Sequence, residues 1–172
     1  MSIKHSKEAL ALADKLNFIK GKGRTYREMG FANTIQDPDA SLHCHQLSLQ
    51  CFRLINSKRD CAFSTLYIGT HYMNRRNYRE GLVYYIDALK QFKAQSDKGG
   101  VGNCYKWIAR IYFLEQDRPE AIKHYYEALG IYEELKDKNN MADSYTPEEA
   151  RLWKETFTAF SYEITCTILK ER

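Results

Sequence analysis

Long apolar runs are missing from this 172-residue sequence, and none approaches the roughly 18 residues needed to cross a bilayer. The opening residues, Met1-Ser2-Ile3-Lys4-His5-Ser6-Lys7-Glu8, lack the apolar core of a secretory signal, so a cytoplasmic location is expected. Proline is scarce, and nothing alternates with period two for long enough to build a strand. Cysteine is too irregular for a disulfide framework. Cys44, Cys51, Cys61, Cys104 and Cys166 form an odd set inside apparent helices, which predicts free thiols in a reducing compartment. Charge of one sign is lacking too: 26 basic residues are interleaved with 22 acidic ones for a net +4. A nucleic-acid binder concentrates its basic residues more strongly, so a mixed solvated surface is the simpler reading, even beside thirteen tyrosines.

Chemistry-bearing motifs are equally thin. Gly21-Lys22-Gly23-Arg24-Thr25 suggests a phosphate loop, but Leu16 occupies the place of the required first glycine, and the segment follows a helix rather than a strand. His43-Cys44-His45, with Cys51 further on, holds metal-capable side chains. Neighbours on a helix diverge by about 100°, so three consecutive residues do not converge on one ion. No cysteine has a base at a spacing that would activate it. The expectation is a non-enzyme, with no catalytic residue, cofactor or metal.

What the sequence does contain is one pattern written twice. Ser64-Thr65-Leu66-Tyr67-Ile68-Gly69-Thr70-His71-Tyr72 opens one copy and Cys104-Tyr105-Lys106-Trp107-Ile108-Ala109-Arg110-Ile111-Tyr112 the next. Gly69 and Ala109, Tyr72 and Tyr112, Gly81 and Ala121, Tyr85 and Tyr125, and Ala88 and Ala128 all stand 40 apart. Fainter echoes precede them: Ser48-Leu49 lies 40 before Ala88-Leu89, while Gly30 lies 39 before Gly69 and Ala9-Leu10 lies 39 before Ser48-Leu49. Such a period signals a stacked helical repeat. Helices are expected over 3–20, 24–35, 39–56, 61–75, 78–95, 102–115 and 119–136, with Gly21-Lys22-Gly23 ending the first. Polar breaks fall at Gln36-Asp37-Pro38, Asn56-Ser57, Arg75-Arg76-Asn77, Ser96-Asp97 and Gln116-Asp117. Thr146-Pro147-Glu148-Glu149 then starts a helix over 146–172, with Trp153, Phe157, Phe160 and Ile164 on its apolar stripe.

Small residues at Gly69/Ala109, Gly81/Ala121 and Ala88/Ala128, with aromatics at Tyr72/Tyr112 and Tyr85/Tyr125, resemble the tetratricopeptide repeat. The usual first-helix tryptophan is absent, with Thr65 and Tyr105 in its place, and Lys93 and Glu133 stand where a proline usually follows the second helix. A period of 40 is similar to the longer-helix variants. The resemblance implies an all-α, right-handed superhelical solenoid of helical hairpins with a long C-terminal capping helix. It divides a single domain, 1–172, into a half repeat (3–20), a degenerate repeat (21–60), repeats 61–100 and 101–140, and the helix 146–172.

It further implies a non-catalytic module that binds a peptide or extended segment of a partner protein. The partner is expected to carry acidic residues or a free C-terminus, and neither a membrane nor nucleic acid is expected. Groove-facing places of the repeat fall on Arg24, Arg27, Phe63, Leu66, Thr70, Met73, Asn74, Asn103, Lys106, Arg110 and Phe113. Lys106 keeps a place similar to that of a carboxylate clamp, but Arg110 stands where the clamp has asparagine. The alternative is a regulatory, sensor or oligomerisation arm of a larger signalling assembly. It acts through its terminal helices, with Trp153, Phe157, Phe160 and Ile164 serving as a cap or a homodimer contact.

Overall fold

The computed structural model describes residues 3–136, with side chains from His5 onward, so the expected helix 146–172 and its Trp153, Phe157, Phe160 and Ile164 lie outside the described residues. Seven helices occur in order: α1 (Ile3–Lys15), α2 (Ile19–Asn33), α3 (Pro38–Leu54), α4 (Lys58–Asn74), α5 (Tyr78–Lys93), α6 (Lys98–Leu114) and α7 (Arg118–Glu134). No strand occurs among the described residues. The fold is all-α, with consecutive helices packed as a tetratricopeptide-like solenoid. The chain divides into two compact units, Met1–Ile131 and Tyr132–Arg172; the packing below concerns the first.

All the described helices but α2 end by one device. Asn17, Asn56, Arg76, Ser96, Gln116 and Lys136 have positive φ, and from Asn56 onward they recur every 20 residues. At the end of α3, Ser57 N–H reaches Phe52 C=O at 2.9 Å and Asn56 N–H reaches Arg53 C=O at 3.0 Å. This is the Schellman pattern, which satisfies carbonyls that a helix end would leave bare. The same two bonds close α4 at Asn77 and Arg76, and α6 at Asp117 and Gln116. From Asn17 to Gln116, the residue after each left-handed position leads into the next helix. The Asp37, Asp97 and Asp117 carboxylates accept from the backbone N–H three residues on, at 3.0, 3.0 and 3.3 Å.

Glycine takes no part in these turns, since none has positive φ. Gly21-Lys22-Gly23 does not terminate a helix, as the sequence suggests, but lies in the first turns of α2. Asn17 makes the reversal instead, with Phe18 N–H bonded to Ala13 C=O at 2.8 Å. Likewise α6 begins at Lys98, so Gly99 and Gly100 are helical. The irregular spacing of 39 also finds its place: α2 has 15 residues where α4 and α6 have 17.

The glycines serve close packing. Contacts are most extensive within the pairs α2–α3 and α4–α5, and less so between pairs, which defines the hairpins. A Cβ on Gly30 would lie 2.6 Å from His45 Nδ1, and one on Gly69 would lie 2.9 Å from the Tyr85 ring. Small residue and ring therefore interlock at the same place in successive hairpins. Tyr85, Phe92, Cys104 and Ile111 are fully buried and form one core with Ala62, Leu66, Met73, Ala88 and Ile108. Beyond consecutive pairs, α4 also touches α6. The second helices stand further apart, leaving grooves of about 370 Å³ beside α1–α3 and about 290 Å³ beside α3–α5.

Candidate functional site

The first helices of the hairpins, α2, α4 and α6, repeat one register: Arg27, Leu66 and Lys106 are equivalent, as are Phe31, Thr70 and Arg110. Equivalence in register does not give equivalent exposure. Leu66 and Met73 are 3% and 6% exposed and belong to the core. Thr70 is half-buried; its hydroxyl accepts from Tyr85 Oη at 3.0 Å and donates to Leu66 C=O at 3.2 Å. Arg24 and Asn74 are exposed, while Arg27, Asn103, Lys106, Arg110 and Phe113 are half-buried. The surface available on α4 is therefore smaller than the repeat register implies.

The basic residues divide by their company. Arg27 Nη1 lies 3.4 Å from Asp60 Oδ1, with its guanidinium 5.8 Å from the Phe52 ring. Arg59 Nε lies 2.6 Å from Asp97 Oδ2 and its guanidinium sits over Phe63. These pairs tie each first helix to the start of the next. Burial acts to raise the Asp97 carboxyl, but the Gly100 N–H and Arg59 outweigh it and hold the acid below its ordinary range. Lys106 and Arg110 are placed differently. Their charged groups lie 5.5 and 5.6 Å from the Trp107 ring, which stacks on Tyr85 with 14° between planes. An electron-rich ring face stabilises two cations that would otherwise repel at i and i+4.

Trp107 is thus the functional candidate that the register conceals, because its equivalent Tyr67 packs against His45 as Trp107 packs against Tyr85. The detectable signal was the pairing of a tryptophan with flanking cations at one turn of helix. Phe31, Phe63 and Tyr67 extend the aromatic surface toward α2, with Phe31 and Tyr67 edge-on at 4.6 Å and Phe63 and Tyr67 stacked at 6.2 Å. Phe31 is 43% exposed. The face runs from aromatic at α2–α4 to basic at α6.

Other titratable groups serve packing. His45 occupies the interlocking place of Tyr85, with Nδ1 buried and lacking a hydrogen-bond partner. Burial, reinforced by the charges of His71 and Arg27, pushes its imidazolium down to about 4, so it is neutral at pH 7. Burial raises the thiols of Cys44, Cys51, Cys61 and Cys104, which opposes thiolate chemistry. Among the described residues no cluster of three His, Cys, Asp or Glu side chains is placed to hold a metal. No described helix is long and apolar enough to cross a membrane.

Comparison with known proteins agrees with this geometry. The family model described as tetratricopeptide repeat matches residues 60–134, from the first turn of α4 to the end of α7, and supports tetratricopeptide repeats over that stretch. No curated protein matches the chain. Repeats of this family mediate protein–protein interactions and are typically non-catalytic.

Proposed function

We propose that this tetratricopeptide-repeat chain binds an extended segment of a partner protein along the face of its first helices. The segment carries apolar or aromatic side chains where it meets Phe31, Phe63 and Tyr67, and acidic side chains where it meets Lys106 and Arg110. The observation that supports this most is the pair of cations held over the Trp107 ring. Arg27 and Arg59 lie against Asp60 and Asp97, whereas the charged groups of Lys106 and Arg110 lie against the Trp107 ring, and carboxylate oxygens match their N–H donors. An extended peptide adds few new ordering costs to such a preformed helical face.

The test uses labelled peptides of one apolar framework in acidic, neutral and basic versions, read by fluorescence polarisation. The acidic version is expected to bind at least tenfold tighter than the basic one, with affinity falling as salt rises. Lys106→Glu with Arg110→Glu should remove that preference. Equal binding of all three versions, or an unchanged preference in the double variant, refutes the basic end of the face.

A further inference from the structure

α1 holds the register of a second helix, and among the described residues no first helix precedes it. Ala9-Leu10 is the counterpart of Ser48-Leu49, which aligns Leu12 with Cys51 and His5 with Cys44. In α3 those cysteines are buried, and Cys51 meets the first helix of its own hairpin, where a Cβ on Gly23 would lie 3.1 Å away. On α1 the same side is open: Leu12 and Leu16 are 57% and 64% exposed, and His5, Glu8 and Lys15 are exposed beside them. Residues 5, 8, 12, 15 and 16 fall on one face at helical spacing. Among the described residues no helix covers it.

The charges on this face specify what fits. We propose that it is a self-association surface, covered by α1 of a second copy running antiparallel across a two-fold axis near Leu12. In that arrangement Glu8 of one copy falls opposite Lys15 of the other, twice by symmetry, and the Leu12 side chains meet at the centre. A parallel pairing would set Glu8 against Glu8 and Lys15 against Lys15. The pattern is thus self-complementary in one orientation only. An α-helix of 13 residues is about 20 Å long, so the contact is smaller than a standard interface. The dimer is therefore weak and concentration-dependent.

Sedimentation equilibrium of the full chain, from about 10 to 500 µM, tests this. The expected result is a weight-average mass rising from 20.2 kDa toward twice that value. Glu8→Lys and Lys15→Glu should each weaken association at least tenfold, and Leu12→Lys should abolish it. The combined Glu8→Lys/Lys15→Glu variant exchanges the partners across the axis and should return to within threefold of the original. All three positions are solvent-facing, and circular dichroism checks that each variant folds. A mass that stays monomeric throughout overturns the proposal. So does association that survives Leu12→Lys, or a double variant no stronger than the single ones.

Discussion

Two adjacent glycines in α6 give the sharpest test of the packing logic. Gly99 and Gly100 both lie in the first turn, and neither has positive φ, so replacing either with alanine meets no backbone obstacle. Both gain from reduced freedom of the unfolded chain and better helix propensity, worth roughly 0.5–1 kcal/mol. Their surroundings differ. A Cβ on Gly99 would have Asp97 Oδ1 as its nearest neighbour at 3.6 Å, an ordinary contact. A Cβ on Gly100 would lie 2.5 Å from Cε1 of Phe92 and closer still to Cδ1 and Cγ. The Phe92 ring is fully buried and packs edge-on against Phe63 at 4.8 Å, so it has little room to retreat. Overpacking of this kind costs about 1–3 kcal/mol.

The expected outcome is opposite signs at neighbouring positions. Gly99→Ala should raise the midpoint of thermal unfolding slightly, while Gly100→Ala should lower it by several degrees, at about 2–4 °C per kcal/mol for a chain of this size. Far-ultraviolet circular dichroism and urea titration measure both. Phe92→Leu provides the control: in that background the Gly100→Ala cost should shrink, with a coupling of about 1 kcal/mol or more between the sites. If both alanine variants behave alike, or the coupling is zero, Gly100 is not placed for contact with the Phe92 ring.

Other outcomes follow from the same structure. Gly130 is exposed in α7 with nothing within 4 Å of a Cβ, so Gly130→Ala should stabilise by about 1 kcal/mol in urea titration. Arg76 and Gln116 hold left-handed backbone on exposed turns; either residue changed to glycine should add about 0.5–1 kcal/mol by the same titration. Asp97→Ala removes a cap and an ion pair and should cost about 1–2 kcal/mol. Because the folded carboxyl lies below its ordinary value, its contribution is present at neutral pH and is lost as pH falls through the acid range, a dependence that Asp97→Asn should remove. His45 has the same sign: its folded value near 4 lies below 6.5, so the unfolded chain binds the proton first. Stability should fall from about pH 6.5 toward pH 4, by at most about 3 kcal/mol, and His45→Phe should flatten that segment of the profile.

Most of the fold was legible because helix existence and packing both follow from periodicity. The two clear copies marked α4–α7, and the polar breaks fell on the turns. Glycine misled at Gly21-Lys22-Gly23. A glycine near a helix end reads as a cap, yet here the left-handed places are taken by Asn17, Asn56, Arg76, Ser96 and Gln116. Their backbone strain is offset by a Schellman turn whose last residue leads directly into the following helix, so one short segment ends one helix and starts another. That economy fixes about 20 residues per helix, and the 40-residue period is two of them. The clue was available at Asp37, Ser57, Asn77, Asp97 and Asp117, which recur every 20 residues.

The candidate site was harder to read because a repeat advertises what its copies share. Agreement between copies marks packing: Gly30 with His45 and Gly69 with Tyr85 hold one spatial relation, and at the equivalent places Ala109 and Tyr125 are both buried. Divergence is where a partner can be specified. At one register place stand Arg27, Leu66 and Lys106, which become an ion pair, a core residue and a cation on an indole. At another stand Glu28, Tyr67 and Trp107, and only the last has cations on its ring. Register alone ranks these residues equally, whereas neighbours on adjacent helices separate them. If binding resides where copies diverge, exchanging residues between copies should move it. Trp107→Tyr with Lys106→Leu makes the α6 place resemble α4. The hairpin should stay folded while the preference for acidic peptides falls as far as it does on charge reversal. Retention of that preference would place recognition in the shared packing surface and overturn the division between the two.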